Sequence, residues 1–262
     1  MARLARLIPI AALVAVSGVA CAVVVDAPDR LDPARAWCEP SSERWLGCGE
    51  AGVDLASLVA HAELRGVGLA AAVALFGFAF GTPLGAVAAL AGGRFERAVD
   101  RTCDLLQAFP TFLLALAVLS AVKSPNRVDL ACVFALTVWA PFARLALVQT
   151  RVLRSMAFVE AARALGATRA QIVRRHVVPN LLAIAAVQLG ASGATIVVSE
   201  AALAFVGLGP RDGVSLGAVL DQGVASMLRA PHVLVVGALA VMATSAAMMV
   251  AGRSVEGGAR PG

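Results

Sequence analysis

The side chains able to do chemistry are few and scattered. Five cysteines stand at 21, 38, 48, 103 and 132, and three histidines at 61, 176 and 232. No CxxC occurs and no histidine falls at zinc spacing from a cysteine, so no metal ligand is assigned. No HExxH is present, which removes a common metallohydrolase signature. A phosphate loop needs GxxxxGK[ST], so that backbone N–H groups and a lysine cradle the phosphates. The sole lysine is Lys123, followed by Ser124, and Val122 and Ala117 occupy the two glycine positions. The chain therefore carries no ATP-hydrolysing loop, and no catalytic residue is assigned. One ionisable residue, Glu200, sits inside a long apolar stretch, where a carboxyl group marks function by default.

The richest segment is Phe158 to Asn180, FVEAARALGATRAQIVRRHVVPN. Glu160 to Leu165 are mostly strong helix formers. Gly166 suits a helix stop, where a left-handed backbone is wanted. Thr168 with Gln171 three places on fits a capping box that starts a second helix. Pro179 ends the pattern. The segment predicts helix, tight turn, helix. Val159, Ala162, Leu165, Ile172, Val173 and Val177 offer apolar surface, and Arg163, Arg169, Arg174 and Arg175 offer charge. Physics alone supports two uses equally: docking into a groove on a partner, or lying on lipid headgroups.

The elements that hold this segment follow from composition. Of 262 residues 60% are hydrophobic and 15% charged, with mean hydropathy +0.83. A soluble domain has about 25% charged residues. So few polar residues cannot cover a water-facing surface, which excludes an ordinary soluble enzyme and points to a polytopic membrane protein. Six apolar stretches approach or exceed the ~20 residues needed to span a bilayer. They run from about Leu7 to Val25, Gly66 to Gly92, Cys103 to Val122, Leu130 to Val148, Leu181 to Val206, and Pro231 to Gly252. The first is read as a retained span, not a cleaved signal. The second carries a Gly81-Thr82-Pro83 interruption, the third contains Pro110 and the fourth Pro141. A polar segment, Asp26 to Arg65, separates the first two.

Six spans put both termini on one side. With the termini cytoplasmic, 14 of the 22 basic residues fall inside, including Arg94, Arg144, Arg154 and Arg175. That bias sets the orientation. The positive charge therefore belongs to span flanks and not to nucleic-acid binding. Arg144 is expected to snorkel as a cytoplasmic-end anchor. Cys103 and Cys132 are expected to pack as apolar side chains. Cys38 and Cys48 fall in the outer segment, where oxidation can join them. The sequence leaves a bridge and two free thiols equally open.

Glu160-Ala161-Ala162, Gly166 and Pro179 fall at the spacing of the EAA loop of bacterial ABC importer permeases. The chain resembles the dipeptide/oligopeptide/nickel branch of that family, second-permease type. Arg175 to Asn180 (RHVVPN), Trp139 to Arg144 (WAPFAR), Ala108-Phe109-Pro110, and Ser199 to Gly209 (SEAALAFVGLG) carry the likeness further. The likeness covers about Leu64 to Gly252. It implies an all-α fold with six transmembrane helices, the ABC transporter type I transmembrane domain. The domains would be residues 1–62 (first span and extracytoplasmic segment), 63–252 (transmembrane type-1 domain) and 253–262 (cytoplasmic tail).

The resemblance also implies the role. Glu160, Ala161, Ala162, Gly166 and Pro179 would form the element that docks into a separate ATPase. The partners would be a second permease subunit, two ABC ATPase subunits, an extracytoplasmic substrate-binding protein and the bilayer of the bacterial inner membrane. ATP and Mg would sit on the ATPases, with no cofactor in this chain. Cargo would be a di- or oligopeptide, or nickel. Pro110 and Pro141 would kink spans around the pathway or simply pack bent helices. Glu200 would line the pathway, hold the subunit interface or make a structural hydrogen bond. Two outer positions depart from the family: Gly52-Val53-Asp54, where Gly-Arg-Asp is usual, and Ser215-Leu216-Gly217, where Ser-Trp-Gly is usual. The rival readings are a polytopic membrane enzyme and a non-transporting anchor for an ATPase.

Overall fold

The protein is described by a computed structural model covering residues 31–166, 168, 171, 178–210 and 214–256. The expected first span, Leu7 to Val25, and the tail beyond 256 lie outside these residues. Among the described residues there is no β-strand. Eight α-helices follow in chain order: α1 Leu55–Ala91, α2 Gly93–Ala108, α3 Thr111–Leu119, α4 Arg127–Arg154, α5 Ala157–Ala164, α6 Val178–Phe205, α7 Leu216–Ala225 and α8 Pro231–Glu256. Helices α1, α4, α6 and α8 are long and apolar enough to cross a membrane.

The expected third span is two helices, not one. Helices α2 and α3 meet at an angle of 75°, and only as a bent pair do they add a fifth crossing. The break is local chemistry. Proline disfavours the helical region for the residue before it, and Phe109 is extended (φ −99°, ψ 129°) ahead of Pro110. The Gly81-Thr82-Pro83 interruption is tolerated inside the span, and α1 runs through Pro83 without a break. Gly77, Gly81 and Gly85 form one stripe, four residues apart, facing α4. A Cβ at Gly77 would meet Phe142 and Val138 at 3.0 Å, and one at Gly81 or Gly85 would overlap the backbone oxygens of Trp139 or Ala143. Small residues permit this approach of two backbones. Pro83 sits on the exposed side of the helix.

Gly190 of α6 and Gly252 of α8 build a second close crossing. A Cβ on Gly252 would lie 2.7 Å from the Gly190 Cα. Between these crossings the core is filled by Leu69, Val73, Leu119, Leu130, Phe134, Phe142, Val197, Leu203 and Met248. The outward faces stay apolar, with Phe76, Phe80, Leu136, Val198 and Leu239 exposed, as hydrocarbon surroundings permit. Cys103 is buried as expected; Cys132 is exposed, because its position on α4 faces away from the core.

Helix α1 begins at Leu55, upstream of the polar segment's expected end at Arg65 and of position 63, where the sequence reading starts the transmembrane domain. Asp54 sets that start by accepting a hydrogen bond from the Ser57 N–H at 2.8 Å. Residues 32–54 fold over this end of the bundle. Trp37, Leu46 and Val53 pack with Leu55, Leu58, Leu216, Val219 and Val233. Cys38 and Cys48 are joined as a disulfide with Cα atoms 4.8 Å apart. Closing a ten-residue separation stabilises by roughly 3 kcal/mol in the chain-entropy account. Mass spectrometry of non-reduced, alkylated protein is expected to find both residues unalkylated; two alkylated thiols there would reject the bridge.

Candidate functional site: the α4–α6 connection and a polar cavity between the spans

Helix α4 ends at Arg154 and the chain turns through Ser155, whose hydroxyl donates to the Val152 carbonyl at 2.9 Å. Helix α5 then presents two different surfaces. Val159 is fully buried, so it seats the helix and is not the partner surface that its hydrophobicity suggests. Glu160 and Ala161 are exposed, and Leu165 is 89% exposed. A helix that buries one residue per turn must turn its neighbours outward. Gly166 stops the helix with φ +84°. Among the described residues nothing stands within 4 Å of where its Cβ would be, so the requirement there is conformational and not steric. The expected capping box forms: Thr168 N–H donates to Gln171 Oε1 at 2.8 Å and Gln171 N–H to Thr168 Oγ1 at 3.3 Å. Pro179 is the second residue of α6, where a missing N–H costs nothing. The side chains of Ala162 and Arg163, and residues 172–177 with Ile172, Val173, Arg174, Arg175 and Val177, lie outside the described residues.

The end of α4 beside this segment is clamped by charge. Arg144 pairs with Asp100 at 2.8 Å and Asp104 at 2.5 Å, and Arg151 with Glu96 at 2.5 Å and Asp100 at 3.0 Å. Arg154 donates to the Ala89 carbonyl at 2.6 Å. Arg144 is therefore no snorkelling anchor. Carboxylates lie within its reach, and a charge-assisted hydrogen bond outweighs an unpaired ammonium-like head in water. Glu96, Asp100 and Asp104 are spaced i, i+4, i+8, and Arg144 and Arg151 i, i+7. The two stripes are visible in the sequence; their facing each other is not.

Above the clamp lies a cavity of about 130 Å³ between α3, α4 and α6. Thr111, Thr137, Pro141, Gln188, Ser192 and Thr195 are among its lining residues. Thus Pro141 does reach a cavity, and Pro110 sets the bend that brings Thr111 to it. Glu200 is elsewhere. It is 5% exposed, and its Oε2 lies 3.2 Å from where a Gly66 Cβ would be, against α1. Glu63, one turn before Gly66, is also buried and accepts from Thr244 of α8 at 3.2 Å. The sequence reading missed Glu63, which lies in the segment taken as polar and outer. It also missed Gln188, Ser192 and Thr195, whose i, i+4, i+7 spacing on an otherwise apolar helix is a readable polar stripe.

Much of the Ser199 to Gly209 motif is structural. Leu203 is fully buried. Gly207 (φ +82°) closes α6, with Leu208 N–H bonded to the Leu203 carbonyl at 2.9 Å and Gly207 N–H to that of Ala204 at 3.1 Å. That is a Schellman stop. Ser215 caps α7 by accepting from Ala218 N–H at 3.2 Å, and a Cβ on Gly217 would overlap the Ala201 backbone.

Comparison with known proteins agrees with this arrangement. The family model described as binding-protein-dependent transport system inner membrane component matches residues 81–258. The glutathione transport system permease protein GsiD of Pectobacterium atrosepticum is 33% identical over 220 residues, covering 81% of this chain and 71% of the relative. GsiD of Escherichia coli O6:K15:H31 is 34% identical over 220 residues, covering 81% and 70%. Among solved structures, the inward-facing MetNI methionine ABC transporter superposes with TM-score 0.60 at 21% identity, covering 78% of this chain and 97% of that one.

Proposed function

We infer the function from one premise: the chain belongs to the family of binding-protein-dependent transport system inner membrane components. It is a multi-pass membrane permease subunit of an ABC importer, not an enzyme, and ATP hydrolysis belongs to a partner chain. Helix α5 with the Gly166 stop is the coupling element. The observation that carries this is the exposure of Glu160 and Ala161 on a short helix seated by Val159 and ended by a positive φ. Ala161 lets a partner approach closely, and Glu160 pairs with a donor on it. ATP and Mg are held by the ATPases, two of which dock beneath the permease pair. A second permease completes the pathway, and an extracytoplasmic binding protein delivers cargo. The basic bias places both termini in the cytoplasm. The disulfide in the 32–54 segment supports an outer, oxidising location for that face.

The cargo is a peptide. The relatives named above are glutathione permeases, and glutathione is a tripeptide-like solute. Closure of the ATPases on ATP moves α5, and α5 moves α4, to which Arg144 and Arg151 tie α2. A pull-down of tagged, detergent-solubilised protein is expected to recover an ABC ATPase, and to lose it when Glu160 and Gly166 are both changed. Folded protein that brings down no ATPase would refute the coupling role.

A further inference from the structure

The cavity between α3, α4 and α6 carries an inference that rests on the peptide-permease reading and goes beyond it. Gln188 stands ten residues into α6 and Thr195 seventeen, which puts them about 15 and 26 Å from that helix's start. Thr137 stands ten residues into α4, about 15 Å from its own start. The polar residues therefore meet near mid-depth of a ~30 Å hydrocarbon layer, where a polar group without a partner is costly.

Their hydrogen bonds are only partly used within the chain. Gln188 Nε2 donates to Ser192 Oγ at 3.1 Å, which leaves a second amide hydrogen and Oε1 on Gln188. Ser192, 7% exposed, accepts that bond and keeps its own hydroxyl hydrogen. Thr137 and Thr195 donate to the carbonyls of Phe134 and Ala191 at 3.2 and 3.0 Å, and their oxygens still accept. Pro141 has no N–H, so the Thr137 carbonyl four residues earlier loses its helical donor. Donors and acceptors thus face the cavity from both α4 and α6. Among the described residues no charged side chain, thiol or imidazole lines the cavity. A transition-metal ion such as Ni²⁺ favours imidazole or thiolate ligands, and the described lining has none. At about 130 Å³ the cavity is close to the ~150 Å³ of an engineered cavity that takes benzene. It accommodates one residue-sized group.

We propose that this cavity is a transit subsite for one uncharged peptide unit of the cargo, with Gln188 and Ser192 bonding its amide and the freed Thr137 carbonyl accepting its N–H. The site selects a neutral amide backbone over a metal ion.

The test uses cells expressing the chain with all its transporter subunits, with S-methylglutathione and Ni²⁺ as probes. Gln188→Leu should raise the half-saturating S-methylglutathione concentration about tenfold, as expected for a lost buried hydrogen bond. Ser192→Cys, in a chain with Cys21, Cys103 and Cys132 replaced by alanine, should be alkylated more slowly when S-methylglutathione is present. The labelling result stands even if Gln188→Leu fails to assemble. Peptide uptake by the parent with labelling and half-saturation unchanged would overturn the subsite and leave the permease reading intact. Inhibition of S-methylglutathione uptake by Ni²⁺ in the parent would overturn the choice of ligand. A parent that imports Ni²⁺ and no peptide would overturn the peptide reading together with the subsite.

Discussion

Gly166→Pro is expected to abolish transport by the assembled complex while the chain still inserts and its bundle still folds. Gly166 holds φ at +84°, and proline fixes φ near −65°. The turn after α5 cannot form with that residue, and a cost of about 3 kcal/mol leaves the docked geometry populated roughly 100-fold less. Nothing lies within 4 Å of the Cβ position, so loss of function has a backbone cause and not a steric one. A graded series follows. Gly166→Asn, which tolerates the left-handed region, should retain most transport, and Gly166→Ala should fall between, at a cost of about 1 kcal/mol. Uptake and ATP hydrolysis measured on the same membranes check this. Equal transport by the proline variant and its parent would sink the coupling role of this turn.

Gly85→Val is expected to destabilise the bundle strongly. Its Cβ would overlap the Ala143 carbonyl oxygen. The obstacle is backbone in the middle of α4, so no rotamer change relieves it. Overpacking of this kind costs about 3 kcal/mol, at the upper end of what inserted methyl groups cost, and should lower the midpoint of thermal unfolding in detergent by roughly 6–12 °C. Gly68→Ala on the same helix is the control. Its Cβ would meet nothing within 4 Å, and alanine gains about 0.5–1 kcal/mol over glycine in a helix interior. Thermal unfolding followed by circular dichroism separates the two. Matching midpoints for Gly85→Val and the parent would show that α1 and α4 do not touch at this glycine.

The features legible along the chain are local ones. Composition fixes the membrane as solvent, since 15% charged residues cannot cover a soluble domain. The capping pair Thr168 and Gln171, the glycine stop at 166 and the extended residue before Pro110 each depend on neighbours within a few positions. They are readable because side-chain chemistry acts there at fixed backbone spacing. The α2 acids and the α4 arginines were also readable as stripes, and so was the polar line Gln188, Ser192, Thr195. The packing of helices decided everything that joins distant segments. It made Gly81 a contact surface, took Arg144 from the lipid edge into pairs with Asp100 and Asp104, and buried Val159. It also set Glu200 against Gly66, away from the cavity that Pro141 lines. The reason is geometric. A helix repeats its own residues every 3.6 positions, so its faces can be read from the chain alone. Which face meets which neighbour depends on crossings between residues 55 or 62 positions apart, such as Glu96 with Arg151 and Gly190 with Gly252, and no local spacing encodes them.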